Sequence, residues 1–180
     1  MADFTDHITD KHKSFIEQQV MFFTASACST GRINLSPKGT DSFRVLGPNL
    51  CGYLDYTGSG NETAAHIKHD GRLTIMFNSY TRNPLIMRLY GRGEVVRPHH
   101  DKWSKLMSDF PSKENMRQLI LLNVESVQTS CGWGVPLMEF TGHRDTMDKW
   151  IDSKGADGLG DYQQENNVKS IDGFDTGIND

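Results

Sequence analysis

The stretch VMFFTASACSTGRINLS, residues 20–36, decides the fold class. Its first part, residues 20–25, is apolar and rich in residue types that favour β-structure. A turn signal, Ser-Thr-Gly, follows at residues 29–31. Residues 32–36 then alternate between polar and apolar side chains, as a strand with one buried face does. The pattern therefore predicts a β-hairpin that turns at Thr30 and Gly31.

Short strands also dominate the rest of the chain. Further strands are predicted over residues 42–46, 50–56, 72–78, 84–97 and 119–129, with a bulge or sharp bend at Gly91 and Gly93. A loop is predicted over 37–41, helices over 9–19, 99–110 and 143–151, a helical turn over 112–118, and irregular chain over 152–180. Connections of hairpin length favour an antiparallel sheet of six or seven strands, and such a sheet often closes into a barrel.

Composition narrows the class of protein. The chain has 180 residues and a formal net charge of −4, which suits one domain and argues against a nucleic-acid-binding protein. The three cysteines are far apart and odd in number, so we expect neither a disulfide framework nor a metal site. The N-terminus is acidic, and the longest apolar run, Leu119–Leu122, is far too short to span a membrane. We expect a cytoplasmic protein that makes no membrane contact.

The first candidate for chemistry is a strand, a glycine turn and a helix start over residues 50–67. Ser59 and Glu62 have capping-box spacing, and Gly71 can end the helix. Unsatisfied N–H groups at a helix start attract a phosphate, to which Asn61 and Thr63 could add side-chain donors. Taken alone, however, this segment fits a plain capped helix better, because capping boxes are common.

The second candidate is the segment NLSPKG, residues 34–39. Asn34 and Ser36 point to one side of the strand, and Lys38 can neutralise a phosphate as a point charge. The segment also fits a solvated loop with an ordinary surface lysine.

The third candidate is the segment SCGWGVP, residues 130–136. Trp133 could stack on a planar ring or pack at a subunit interface. For Cys131 we expect a buried, unreactive thiol, because no partner residue is evident in the sequence.

These segments, together with DSFRVL (residues 41–46) and GSGNETAAH (residues 58–66), resemble the pyridoxamine 5′-phosphate oxidase-related, FMN-binding proteins. The resemblance implies a mainly β, antiparallel split β-barrel with flanking helices and with FMN at the interface of a homodimer. It implies a single domain over residues 1–180, with a core at about 19–136 and a C-terminal helical or irregular extension over 137–180. Residues 34–38 would lie along the flavin, residues 59–63 would hold its phosphate, and residues 131–136 would reach the partner's flavin.

Two departures from the family pattern limit the expected activity. True pyridoxamine phosphate oxidases carry an Arg-Lys pair in the phosphate turn, where this chain has Gly60-Asn61-Glu62. They also end in a Trp-x-x-x-Arg-Leu-type substrate motif, where this chain has residues 171–175 (IDGFD). We therefore expect an FMN-dependent oxidoreductase with a different small-molecule substrate.

The alternatives are a non-catalytic flavin- or haem-binding module and a structural dimer with an empty site. The expected FMN contacts are Asn34, Ser36, Lys38, Ser59, Asn61, Thr63 and Trp133.

Overall fold

The computed structural model describes residues 2–111 and 116–180. The strands are β1 (Asp3–Thr5), β2 (Met21–Ser26), β3 (Asn34–Gly39), β4 (Phe43–Gly47), β5 (Leu50–Tyr56), β6 (Arg72–Asn78), β7 (Ile86–Val96) and β8 (Met116–Ser130). The helices are α1 (Asp10–Glu17), α2 (Glu62–His69), α3 (Trp103–Met107) and α4 (Thr146–Asn166). No helix within the described ranges is long and apolar enough to cross a membrane.

The strands form one antiparallel sheet in the order β3-β2-β6-β7-β8-β5-β4, and the short β1 pairs with the end of β8. The two outer strands, β3 and β4, are joined by a single 3₁₀ turn at Thr40–Ser42. No hydrogen-bonded ladder links β3 to β4 among the described residues. The sheet therefore curls into a barrel that stays open along one seam. This is the predicted split β-barrel with flanking helices.

Aromatic side chains fill the barrel next to this seam. Phe22, Phe43, Tyr53 and Phe77 are buried, and they come from β2, β4, β5 and β6. The ring centroids lie 5.2 Å apart for Phe22 and Phe43 and 5.0 Å apart for Phe43 and Phe77, in edge-to-face geometry. Each such pair contributes about 0.5–1.5 kcal/mol beyond its buried area. The cluster thus joins both sides of the barrel where backbone hydrogen bonds do not.

Two helical elements and one loop differ from the sequence predictions. Strand β3 continues through Pro37 to Gly39, so the loop predicted over 37–41 is wrong for residues 37–39. An edge strand tolerates proline because it needs N–H donors on one side only. The helix predicted over 99–110 is limited to α3. Of the helical turn predicted over 112–118, residues 112–115 lie outside the described residues and 116–118 begin β8.

The C-terminal extension is more ordered than predicted. Residues 152–166 were expected to be irregular, but they belong to α4, whose helical path is broken at Gly155 (φ +64°). Packing outweighs the low helix propensity of its glycines: Ile151 and Leu159 are buried, and the rings of Trp150 and Tyr162 lie 5.0 Å apart.

The bulge predicted near Gly91 is present. The register between β7 and β8 shifts between Tyr90 and Gly91. A Cβ atom at Gly91 would overlap the backbone carbonyl oxygen of Asn123. The extra residue of this bulge is Glu125 on β8, and β7 can lie this close to the bulged strand only because Gly91 has no side chain.

We predict that Gly91→Ala lowers the free energy of unfolding by about 1–3 kcal/mol, because the backbone of β8 must move to admit the methyl group. Urea unfolding measures this change. The matched control is Gly160→Ala on α4, where a Cβ would meet open space. Since alanine favours helix, that substitution should raise stability by up to about 1 kcal/mol. Equal stabilities of the two variants would contradict the role given to the bulge.

Candidate functional site

A cleft of about 500 Å³ lies where β3, the end of β5, the following turn and the start of α2 meet. Six of the seven residues predicted as contacts line it: Asn34, Ser36, Lys38, Ser59, Asn61 and Thr63. Alternation along β3 turns residues 34, 36 and 38 toward the cleft, whereas Ile33 and Leu35 are exposed to solvent. The fold thus brings together two sequence segments that are more than twenty residues apart.

The buried carboxylate of Asp55, near the end of β5, lines the cleft. Its Oδ2 accepts hydrogen bonds from Arg117 Nη2 at 2.8 Å and Gln118 Nε2 at 2.7 Å. Its Oδ1 lies 3.4 Å from Lys38 Nζ. Two cations therefore face one carboxylate, and the group carries a net positive charge.

Asp55 stays ionised in spite of its burial. Burial acts to raise the pKa of the carboxyl group, but the charges of Arg117 and Lys38 and the hydrogen bond from Gln118 outweigh it, so that the pKa is lowered. Because Arg117 already pairs with this carboxylate, the charge of Lys38 is left to face the cleft, which the Glu62 carboxylate also lines.

Sequence reasoning missed Asp55, Arg117 and Gln118. The signal for Asp55 was a single charged residue in the otherwise apolar strand LCGYLDY. Arg117 could not be placed because residues 112–118 were interpreted as a helical turn. In the structure β8 pairs with β5, and this register sets Gln118 directly opposite Asp55.

The turn before α2 is held by protein donors on its carbonyl side. Arg117 Nη1 donates to the Gly60 carbonyl at 3.0 Å, and Asn167 Nδ2 donates to the Gly58 carbonyl at 2.9 Å. The predicted capping box is wrong: Asn61 is the N-cap, and its side chain makes no capping bond. Glu62 instead accepts the N–H of Ile171 at 3.0 Å. The first N–H groups of α2 are therefore not satisfied by a side-chain cap.

The polar side chains of the cleft hold one another in place. Asn34 Oδ1 accepts from Ser36 Oγ at 3.2 Å, and Asn34 Nδ2 donates to Thr63 Oγ1 at 3.1 Å. The buried Asn61 accepts from Gln118 at 2.7 Å and donates to the Asn167 carbonyl at 3.3 Å. These bonds organise the cleft before a ligand arrives. Direct ligand contact by each residue stays a prediction.

Trp133 lies outside this cleft. Its side chain is 82% exposed, and it follows the end of β8. The neighbouring Cys131 is exposed, so the expectation of a buried thiol is wrong. Ser130 is the last residue of β8 and still pairs with β7, and Cys131 follows it outside the strand, where its side chain is exposed.

Comparison with known proteins decides the family. The family model described as Pyridoxamine 5'-phosphate oxidase matches residues 8–131. The pyridoxamine 5'-phosphate oxidase family protein ustO of Aspergillus flavus is 36% identical over 195 residues, which cover 97% of this chain and 77% of that protein. The chain belongs to the pyridoxamine 5′-phosphate oxidase family. The resemblance inferred from the sequence motifs is thereby confirmed.

Solved structures share the fold of this family member. HupZ of Group A Streptococcus superposes with a TM-score of 0.53 at 22% identity, over 67% of this chain and 91% of that chain. An FMN-binding protein of Syntrophomonas wolfei gives a TM-score of 0.51 at 11% identity, over 73% and 88%. The matched residues 8–131 include β3, the turn, α2 and Arg117, whereas Asn167 lies beyond them.

We predict that Asp55→Asn lowers the free energy of unfolding at neutral pH by about 3–5 kcal/mol, because it leaves buried Arg117 without its anion. The lowered pKa of Asp55 means that its contribution is complete above the unfolded value of about 3.8 and is lost as pH falls below that value. The difference between wild type and variant should therefore shrink in acid. Urea unfolding at a series of pH values measures it.

The matched control is Asp157→Asn, which removes an exposed carboxylate on α4. It should change the stability by less than about 0.5 kcal/mol. A similar loss in both variants, or an Asp55→Asn deficit that does not vary with pH, would contradict the proposed ionic network.

Proposed function

We propose that this protein binds FMN in the cleft and acts as an FMN-dependent oxidoreductase. The observation that carries the proposal is a donor-rich cleft, lined by the Lys38 ammonium group and several hydroxyl groups, beside a helix start that has no side-chain cap. In this proposal the phosphate binds at residues 58–63 and Lys38, and the flavin ring extends along β3. Membership of the pyridoxamine 5′-phosphate oxidase family and a fold shared with an FMN-binding protein support this choice of ligand.

The residues present fit a phosphate monoester. Donors are supplied by the Lys38 ammonium group, by the hydroxyl groups of Ser36, Ser59 and Thr63, and by the N–H groups at the start of α2. Among the described residues, the atom nearest to a Cβ built on Gly58 is 3.9 Å away, and the atom nearest to one built on Gly60 is a Glu62 carboxylate oxygen at 3.4 Å, so the turn leaves room for a ligand. The volume of the cleft lies within the usual range for small-ligand pockets, about 300–1,000 Å³.

The source of positive charge differs from that in true pyridoxamine phosphate oxidases. The turn lacks their Arg-Lys pair, and here Lys38 approaches from β3 while Arg117 approaches from β8. Arg117 donates to Asp55, Gly60 and Asn167. Within the described part of the chain, Lys38 has one long hydrogen-bond contact, to Asp55, and its ammonium group also lies over the Tyr53 ring. Lys38 is therefore the cation freer to contact a ligand phosphate.

Bound FMN would supply the hydride and electron transfer of the reaction. The residues of this chain bind and orient it. Asn34, Ser36 and Thr63 form a fixed hydrogen-bonded row on the cleft wall. The aromatic cluster behind this wall, including buried Tyr53, excludes water from the barrel side.

We also propose that the protein is a homodimer. Trp133, Leu137, Met138 and Phe140 form an exposed apolar run after β8. A segment with several exposed large apolar side chains is typical of a protein interface. A second copy of this chain would cover it, with Trp133 near the flavin of the partner.

We predict that the purified protein carries visible flavin absorbance and that the released cofactor has the mass of FMN. Lys38→Ala should weaken FMN binding by roughly ten- to a hundredfold, the loss expected for one hydrogen bond to a charged group. Fluorescence titration of the flavin-free protein measures the affinity. The control is Lys105→Ala, an exposed lysine on α3, which should bind like wild type.

A colourless wild type that takes up no added FMN would overturn the flavin proposal. Reduction of the bound flavin by a nicotinamide, followed by turnover with an acceptor, would support the oxidoreductase. A flavin that binds stably, is not reduced by NADH or NADPH, and supports no acceptor turnover after reduction by dithionite would favour a non-catalytic flavin module.

We predict that Trp133→Ser shifts the protein from dimer toward monomer in sedimentation velocity, because a large exposed indole is a typical interface anchor. Ile171→Ser is the control, since Ile171 is also exposed but lies outside the apolar run. A wild type that sediments as a monomer, or equal behaviour of both variants, would contradict the proposed interface.

A further inference from the structure

Asn167 is a fully buried residue that lies 36 positions beyond the segment matched by the family model. Its side chain contacts the phosphate turn and the cation behind it. Oδ1 accepts from Arg117 Nη1 at 2.6 Å, and Nδ2 donates to the Gly58 carbonyl at 2.9 Å. The orientation of the amide follows from its partners, because guanidinium only donates and a carbonyl only accepts.

The backbone of Asn167 holds the other end of the same turn. Its carbonyl accepts from Asn61 Nδ2 at 3.3 Å. One residue thus binds the turn at Gly58 and at Asn61, and it also fixes Arg117, which in turn binds Gly60. The carbonyl dipoles of Gly58 and Gly60 are both occupied by protein donors. Their negative ends are therefore not free to turn toward an anion in the cleft.

Asn167 is itself held by the C-terminal segment. Its N–H donates to the Gln163 carbonyl at 2.8 Å, and Thr176 Oγ1 donates to its carbonyl at 2.6 Å. Gln163 also reaches the turn, through Thr57 Oγ1 at 2.8 Å. At the opposite end of α2, Lys68 pairs with Asp175 at 2.5 Å. The C-terminal segment therefore ties down both ends of the helix that begins at the phosphate turn.

We propose that Asn167 is a positioning residue that gives the turn its selectivity for a phosphate ester, an inference that rests on the FMN proposal above. It keeps the turn carbonyls away from the ligand and holds Arg117 in place without touching the ligand. The C-terminal extension is in this view a working part of the cofactor site. Asparagine suits the position because its side-chain amide carries an acceptor and a donor on one carbon atom. It can therefore accept from Arg117 and donate to the Gly58 carbonyl at the same time.

The test compares FMN with riboflavin, which has the same ring system and ribityl chain but no phosphate. Asn167→Ala and Asn167→Ser are titrated with both ligands after circular dichroism and urea unfolding have confirmed that they fold. Serine serves as the second variant because it leaves a smaller cavity than alanine. The matched control is Asn166→Ala at the adjacent position, where the asparagine side chain donates to the Tyr162 carbonyl on the same helix.

We expect Asn167→Ala to weaken FMN binding roughly tenfold and to leave riboflavin binding unchanged. Asn166→Ala should change neither. An unchanged FMN affinity in both Asn167 variants would overturn the proposal, and so would equal losses for FMN and riboflavin, which indicate a general role in the scaffold. A wild type that binds the two ligands equally would overturn phosphate selectivity but leave flavin binding intact. A wild type that binds neither would overturn the FMN proposal as well.

Discussion

The rest of the structure depends on one constraint, the cost of burying the Asp55 carboxylate. A buried charge without partners would cost several kcal/mol, so Lys38, Arg117 and Gln118 must converge on it. These partners come from β3 and β8, while Asp55 ends β5. The ionic group thus joins strands on both sides of the open seam. The aromatic cluster packs beneath it, and Lys38 Nζ lies 5.1 Å from the ring centroid of Tyr53.

In the proposed function the same group prepares the cleft for a phosphate. Arg117 pairs with Asp55 and leaves the Lys38 ammonium group beside a turn whose carbonyl groups are held by Arg117 and Asn167. The donors that would meet a phosphate are thereby oriented before it binds, which reduces the cost of binding. In the proposed function, structural support and ligand recognition share the same hydrogen bonds, so the proposed site extends into the C-terminal segment that lies outside the family match.

The sequence predicted the parts of the site that follow from local patterns. Alternation along residues 32–36 is a property of a single strand, and it predicted that Asn34 and Ser36 share one side, which lines the cleft. Lys38 was assigned to a loop, but the strand continues through it and it lines the same cleft. The glycine turn and the positive φ of Gly71 after α2 were also recognisable locally. The capping box was not, because the Glu62 carboxylate accepts the N–H of Ile171, which lies more than a hundred residues away in the sequence.

By itself, therefore, the sequence determined the antiparallel strands, the bulge at Gly91, the family and the polar face of β3, since periods of two residues and turn chemistry act between neighbours in the chain. Only the tertiary structure decided which charges meet. Asp55 and Arg117 lie 62 residues apart, and their contact exists because β8 pairs with β5 in one register. Asn167 reaches the turn because the C-terminal segment folds back onto it after α4. Contacts of this kind depend on packing over the whole barrel, and no local pattern encodes them.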